Sequence, residues 1–352
     1  MRPRCGGGRG RVARSPYGAP YRIAGSYHGG MRYRYSLCLA LSLLMAGATA
    51  QQAPSVTVSA TRDPVDKSYR NMLAGMDLFE RHHALAPQAT LRFLLLPRLP
   101  TTQLDGITLR VAGDTVSLPV PVAPDHSFIL PRNPDAARED AALIASRKTS
   151  TLTWRADVRS PGVPADKRRL GDLRLECLVG VEAGLLSNNT QWFTSPERVC
   201  GTPDGNYLFF AERPVFAVTL QDGERRATLP FNALYAGGTQ TPATLPYCDC
   251  QVLLDRSYYA PLWDRSWSDD TLLSFDDMDG PPGPDDTSIN AGYVSTTQML
   301  SRLGPAQVVS FDSGYQMWRY TYPAIRKSEQ PAEFTILFGP DGMARKARLR
   351  EP

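Results

Sequence analysis

The chain has 352 residues, 42% of them hydrophobic and 21% charged, with a formal net charge of +4. That balance excludes a disordered, a collagen-like and a multispan membrane protein. The sign of the charge misleads, because residues 1–30 hold six arginines, no acid and eight of the 28 glycines. Such a stretch cannot bury a core, and it reads as a low-complexity extension or a misplaced start.

Met31 opens a second beginning. Arg32 and Arg34 form a positive flank, Ser36 to Ala46 an apolar run, and Ala48-Thr49-Ala50 the small residues that a signal peptidase needs. Residues 31–50 therefore read as a signal peptide, with a buried N-terminal helix as the bland alternative. The run is 11 residues long, short of the roughly 20 that a spanning helix requires, so the expected product is a soluble, exported, periplasmic chain. Gln51 and Gln52 follow the cleavage site, so there is no lipobox cysteine. Removing the eight arginines of residues 1–50 leaves 31 of the 39 basic residues against 35 acidic ones, a charge of −4. A nucleic-acid partner loses its electrostatic basis.

The first element of the mature chain is a short amphipathic helix over Lys67 to His83, with Met72, Leu73, Met76 and Phe79 at helical spacing. Extended segments follow at 89–97, 106–113, 114–122, 126–131, 151–158 and 172–180, broken by proline and glycine. This spacing predicts a β-sandwich-like domain over 55–171. A second β-rich unit is expected over 172–262, with strands at 206–212, 215–221, 225–231 and 251–255 and a hairpin at Asp222-Gly223. It carries the four mature cysteines, Cys177, Cys200, Cys248 and Cys250. Disulfides are expected in an oxidising compartment. If Tyr247 to Leu253 is extended, Cys248 and Cys250 share a face, and bridges to Cys177 and Cys200 are the leading pairing. The alternatives are Cys177 with Cys200 beside a strained Cys248–Cys250 loop, or a redox-active C-x-C.

Residues 263–285 read as an acidic Pro/Gly linker. Asp276, Asp277 and Asp279 faintly resemble a calcium loop but lack its distal glutamate. From Asp286 the pattern becomes α+β. Ser295 and Gln298 make a capping box, Met299, Leu300 and Leu303 follow, and Gly304-Pro305 stops the helix. Strands at 306–312, 315–322, 333–338 and 343–350 come next, with Trp318, Tyr320 and Tyr322 on one face and Phe334, Ile336 and Phe338 on one face.

The order of short helix ending in Leu303-Gly304-Pro305, strand, Trp318-x-Tyr320-x-Tyr322, then Phe338 and Asp341-Gly342 resembles the SmpA/OmlA-type outer-membrane assembly lipoproteins. The resemblance covers 286–352. It implies a small helix-plus-three-strand-sheet unit and a non-enzymatic envelope protein that touches other proteins or lipid. The fold class expected for the whole chain is mainly β with an α+β C-terminal domain.

Candidate contact residues fall in two places. Tyr258, Tyr259, Trp263 and Trp267 beside Asp264, Asp269 and Asp270 supply aromatic faces and carboxylates, which suit glycan stacking or glycoside hydrolysis if they converge, and core packing if they do not. On the last strand, Lys346, Arg348 and Arg350 share a face opposite Ala347 and Leu349. That face reads as a solvated edge that discourages aggregation, or as weak contact with anionic lipid. His82, His83 and His126 lack zinc-type spacing partners, and no nucleophile elbow or phosphate loop appears. No catalytic residue, metal or cofactor is expected, and the expected role is binding of an envelope protein or glycan.

Overall fold

The computed structural model describes residues 63–186, 195–205, 207–238, 250–287, 292–323 and 331–351, within a compact unit spanning Val58–Pro352. The extension 1–30, the signal-peptide reading of 31–50 and Cys248 lie outside the described residues. The chain is mainly β, built of antiparallel sheets with helices set against them.

The first part runs β1 (Pro64–Ser68), α1 (Tyr69–Arg81), β2 (Thr90–Pro97), β3 (Leu109–Ala112), β4 (Ser117–Val120), β5 (Ser127–Phe128), α2 (Pro134–Arg138), β6 (Ala142–Lys148) and β7 (Leu152–Arg159). One sheet has the order β1-β6-β3-β4 and another β5-β2-β7. Helix α1 starts where Ser68 Oγ accepts the Asn71 amide at 3.3 Å, which satisfies one orphan donor of the first turn. Tyr69, Met72, Leu78 and Phe79 then bury against Leu109, Val111, Phe93, Leu95 and Trp154 in one apolar core. Burial of such side chains contributes about 1.5–3 kcal/mol each. Along β7 the side chains divide by period two. Trp154, Ala156 and Val158 join this core, while Arg155, Asp157 and Arg159 occupy the other face.

Next come β8 (Lys167–Arg169) and α3 (Leu170–Glu182). The segment 172–180, expected as a strand, is helical. Leu170, Leu173, Cys177 and Val181 serve a second core, whereas Leu175, Val179 and Ala183 belong to the first. A helix that is apolar on two faces has no amphipathic period, and the alternation of Leu173, Leu175 and Cys177 mimics a strand. Its three buried charged residues are paired: Asp172 accepts the Ser160 amide at 2.8 Å, Arg174 donates to the Leu262 carbonyl at 3.0 Å, and Glu176 bridges to Arg168. Gly75 lets α1 approach this helix, since a Cβ there would lie 2.8 Å from that of Ala183.

The second part runs α4 (Pro196–Gly201), β9 (Phe209–Phe210), β10 (Val215–Asp222), β11 (Arg225–Thr228), α5 (Cys250–Leu253), β12 (Ser257–Tyr258) and β13 (Leu272–Asp277). Cys177 of α3 is disulfide-bonded to Cys200 of α4. This overturns the leading expectation, in which each would reach toward Cys248 and Cys250. That geometry required an extended segment at 247–253, and Cys250–Leu253 is instead a helical turn. The strand expected at 251–255 is absent for the same reason.

The acidic segment 263–285 contains β13, which lies between β10 and β8 in the sheet β11-β10-β13-β8. It is not a linker over that length. Of its acids, Asp276 pairs with the basic strand at the C-terminus, and Asp269, Asp270, Asp279 and Asp285 pair with Arg174, Arg169, Arg213 and Arg226. The remaining elements are α6 (Thr296–Leu303), β14 (Gln307–Ser310), β15 (Gln316–Tyr322), β16 (Ala332–Phe338) and β17 (Ala344–Arg350), with the sheet order β14-β15-β16-β17. The capping box is present, Gln298 Oε1 receiving the Ser295 amide at 2.8 Å and Ser295 Oγ the Gln298 amide at 3.2 Å. The sheet has the four strands read from the residues, one more than the resemblance implied. Trp318, Tyr320, Ile336, Phe338 and Ala347 pack with Met299 of α6, and the opposite face adds Met317 and Leu337 to the second core.

That opposite face also carries Lys346, Arg348 and Arg350, and neither a solvated edge nor a lipid-contact surface describes it. Lys346 is 1% and Arg348 5% exposed. Lys346 Nζ donates to Asp276 and to the Asp277 carbonyl. Arg348 donates to Asp276 at 2.9 Å and to Asp286 at 2.7 Å, and Arg350 to Glu333 at 3.1 Å. Buried charges persist only where partners compensate their desolvation, and here the acidic segment and the basic strand compensate each other.

Candidate functional site

Between the two cores lies a cavity of about 390 Å³. One wall is the second face of β2 and β7, with Leu94, Leu96, Arg155, Asp157 and Arg159. The other is formed by Phe209 to Glu212 and by Val252, Leu253 and Arg256. A smaller cavity of about 240 Å³ adjoins it, lined by Asp166, Arg213, Tyr258, Phe275 and Asp277. Arg159, Arg168, Phe210, Ala211 and Glu212 line both.

The charged groups here are organised by strand register. Asp157 of β7 stands opposite Arg92 of β2 and accepts hydrogen bonds at 2.8 Å from Arg92 Nε and Arg159 Nε. Burial pushes the Asp157 carboxyl up, but Arg159 and Arg168 outweigh it and hold the group below its usual range. Arg168 of β8 donates to Glu176 of α3 at 2.6 Å. Both side chains are almost fully buried. Burial dominates at Glu176 and raises its pKa despite the guanidinium beside it. The same two side chains close the edge of β7: the Val158 amide donates to Glu176 at 3.2 Å, and the Val158 carbonyl accepts from Arg168 at 3.2 Å. Arg159 also donates to Glu212 at 3.2 Å. Arg155 lies over the Phe210 ring at 4.8 Å and donates to the Leu208 carbonyl.

Tyr258 of β12 is fully buried, its ring 5.5 Å from Phe209 and 5.2 Å from Phe275. Burial pushes its phenol well above the usual range, so the hydroxyl stays protonated and is a donor. Neither that hydroxyl nor Arg168 Nε has a hydrogen-bond partner among the described residues.

Of the aromatic and aspartate cluster expected at 258–270, only Tyr258 lines these cavities. Tyr259 packs against the second core. Trp263 is 43% exposed, whereas Trp267 is 5% exposed under the Arg225 guanidinium at 3.7 Å. Asp264 accepts the Ser266 amide at 2.9 Å, Asp269 accepts from Arg174, and Asp270 accepts from Arg169 at 2.8 Å. Arg174 also donates to the carbonyls of Asp264 at 2.8 Å and Trp267 at 3.1 Å, so these aspartates belong to a loop folded around one buried arginine. The side chain of Cys250 is outside the described set, and Cys177 and Cys200 are joined to each other, remote in role from the cavities.

Arg159, Arg168, Glu176, Asp157 and Phe210 had no signature in the sequence. The available signal was charge inside an apolar run, as in Asp172-Leu173-Arg174-Leu175-Glu176, which requires paired, buried ions if the run is buried. Among the described residues no helix is long and apolar enough to cross a membrane. No protein family, curated protein or solved structure matches the chain.

Proposed function

We propose that the protein is exported to the periplasm through residues 31–50 and acts there by non-covalent binding of an envelope component, without catalysing a reaction. One observation carries the binding reading. The acids around the larger cavity are engaged by arginines: Asp157 with Arg92 and Arg159, Glu176 with Arg168, and Glu212 with Arg159. A general base needs a lone pair within reach of a substrate proton, and these lone pairs already accept hydrogen bonds. What the walls offer instead is fixed donors and apolar surface, the composition of a ligand pocket.

The Cys177–Cys200 bridge favours an oxidising compartment. The C-terminal helix and sheet support kinship with the SmpA/OmlA-type domains, and with it a place at the envelope. The test is expression of the full chain in a Gram-negative host, fractionation, and native mass spectrometry of the purified protein after incubation with envelope extract. The expected result is a chain cut after Ala50, in the periplasmic fraction, carrying a retained non-covalent mass that Arg168→Met diminishes. Recovery from the cytosol with the N-terminus intact and thiols free would refute the export reading. Chemical turnover of an extract component, abolished by Glu176→Gln, would refute the binding reading.

A further inference from the structure

The larger cavity keeps aliphatic surface that the protein itself leaves uncovered. On β2, Phe93 and Leu95 enter the first core, so the alternation of side chains turns Leu94 and Leu96 to the other face, against the cavity. Val252 and Leu253 of α5 come from the opposite wall. None of these four belongs to either core, and Leu94, Leu96 and Val252 are only half-buried. Branched aliphatic side chains on two walls suit a hydrocarbon guest, whose removal from water is favourable in proportion to the apolar area covered. The polar end is set by Arg256, which lines the same cavity three residues after Leu253 and four after Val252, a spacing that groups them on one side of the helical turns. The acids of the lining are already matched: Asp125 and Asp157 by Arg92, Glu176 by Arg168, and Glu212 by Arg159. Arg256 differs. Its Nη1 donates to the Glu212 carbonyl at 2.7 Å, and Asp255 stands 3.8 Å from its Nε, beyond hydrogen-bond reach. Its Nη2 has no partner among the described residues, and the side chain is 37% exposed. One open guanidinium answers one negative charge, which a carboxylate carries and a phosphate monoester exceeds. At about 390 Å³ the space lies near the lower end of the range for small-molecule sites, which limits the guest to one chain.

We propose that the larger cavity binds one single-chain aliphatic carboxylate, its chain against Leu94, Leu96, Val252 and Leu253 and its carboxylate on Arg256. The inference rests on the binding role proposed above and names the ligand class for that site.

The experiment is isothermal titration calorimetry of the full chain with three probes of equal chain length, each kept below its micelle concentration: decanoate, decanol and decyltrimethylammonium. Decanoate should bind with one site per chain, decanol more weakly, and the cation weakest. Arg256→Met keeps an unbranched apolar stem but removes the charge, so it should weaken decanoate at least about tenfold, the equivalent of a hydrogen bond to a charged group, while leaving decanol unchanged. The decanol arm separates loss of the head-group contact from damage to the fold. Leu94→Asn alters a wall residue outside both cores and should weaken decanoate and decanol alike, with the melting temperature held. No binding of decanoate, decanol or the cation binding as tightly as decanoate, or Arg256→Met leaving decanoate untouched or weakening decanol equally, would each overturn the proposal. If decanoate fails while an envelope component is still retained in native mass spectrometry, the ligand class falls and the binding role stands.

Discussion

Replacing Arg168 with methionine strands the Glu176 carboxylate in the protein interior. The two side chains are 7% and 8% exposed, and removing one partner of such a pair costs about 3–5 kcal/mol. In an ordinary buried pair, replacing both ions by apolar residues restores the loss, because the desolvation penalty leaves with the charges. Here it should not. Val158 uses Glu176 as its amide acceptor and Arg168 as its carbonyl donor, so Arg168→Met/Glu176→Leu leaves two backbone groups of a buried strand unmatched. At about 1–3 kcal/mol for each orphan, the double variant should stay roughly 2–6 kcal/mol below wild type. Glu176→Gln keeps an acceptor for Val158 and should fall between wild type and Arg168→Met. Urea unfolding monitored by far-ultraviolet circular dichroism gives the ranking, with an unchanged m-value as the control for the unfolded state. A double variant as stable as wild type would show that the pair does not complete the edge of β7.

Other perturbations probe other joints. Glu333 sits below its usual range: burial pushes it up, but the Phe231 amide, Arg350 and Arg319 outweigh that. A depressed carboxyl adds stability that is present above its ordinary value of 4.5 and disappears as pH falls through the folded value. The wild type should therefore lose stability on acidification below that point, and Glu333→Gln should flatten the decline in a series of melts. Glu176, raised by burial, acts with the opposite sign, its contribution being complete below its ordinary value and lost as pH rises through the folded one. Reduction of Cys177–Cys200, which closes a 23-residue separation, should cost about 3 kcal/mol and lower the melting temperature by roughly 6–12 °C; an unshifted melt would refute a stabilising bridge. Gly75→Ala places a methyl 2.8 Å from the Ala183 Cβ and 3.0 Å from the Val179 carbonyl. It should destabilise by about 1–3 kcal/mol, seen as a lower urea midpoint.

What could be read from the residues was local or periodic. The capping box of α6, the hairpin at Asp222-Gly223 and the facing of Trp318 with Tyr320 needed only near neighbours, and they are present as expected. Helix α3 was hidden because two cores claim its faces, so its apolar residues follow no single stripe. Strand β13 and the Lys346–Arg348 face were misread for one shared reason. Eight aspartates between 264 and 286 look solvated unless their counterions are known, and those lie far away in sequence, Lys346 and Arg348 after Asp276 and Arg174, Arg169 and Arg213 before Asp269, Asp270 and Asp279. The cavities were illegible for a similar reason, since Arg168, Tyr258 and Phe275 meet only through pairings among β8, β9, β12 and β13.

The dual allegiance of α3 has a practical corollary for anyone dividing the gene. A fragment stopping before Leu170 would forfeit Leu175, Val179 and Ala183 from its interior, and one starting there would expose those same residues to water. Neither half is a transplantable module, and the two should melt in a single cooperative step. Fusions and the break points of circular permutants belong away from this shared spine.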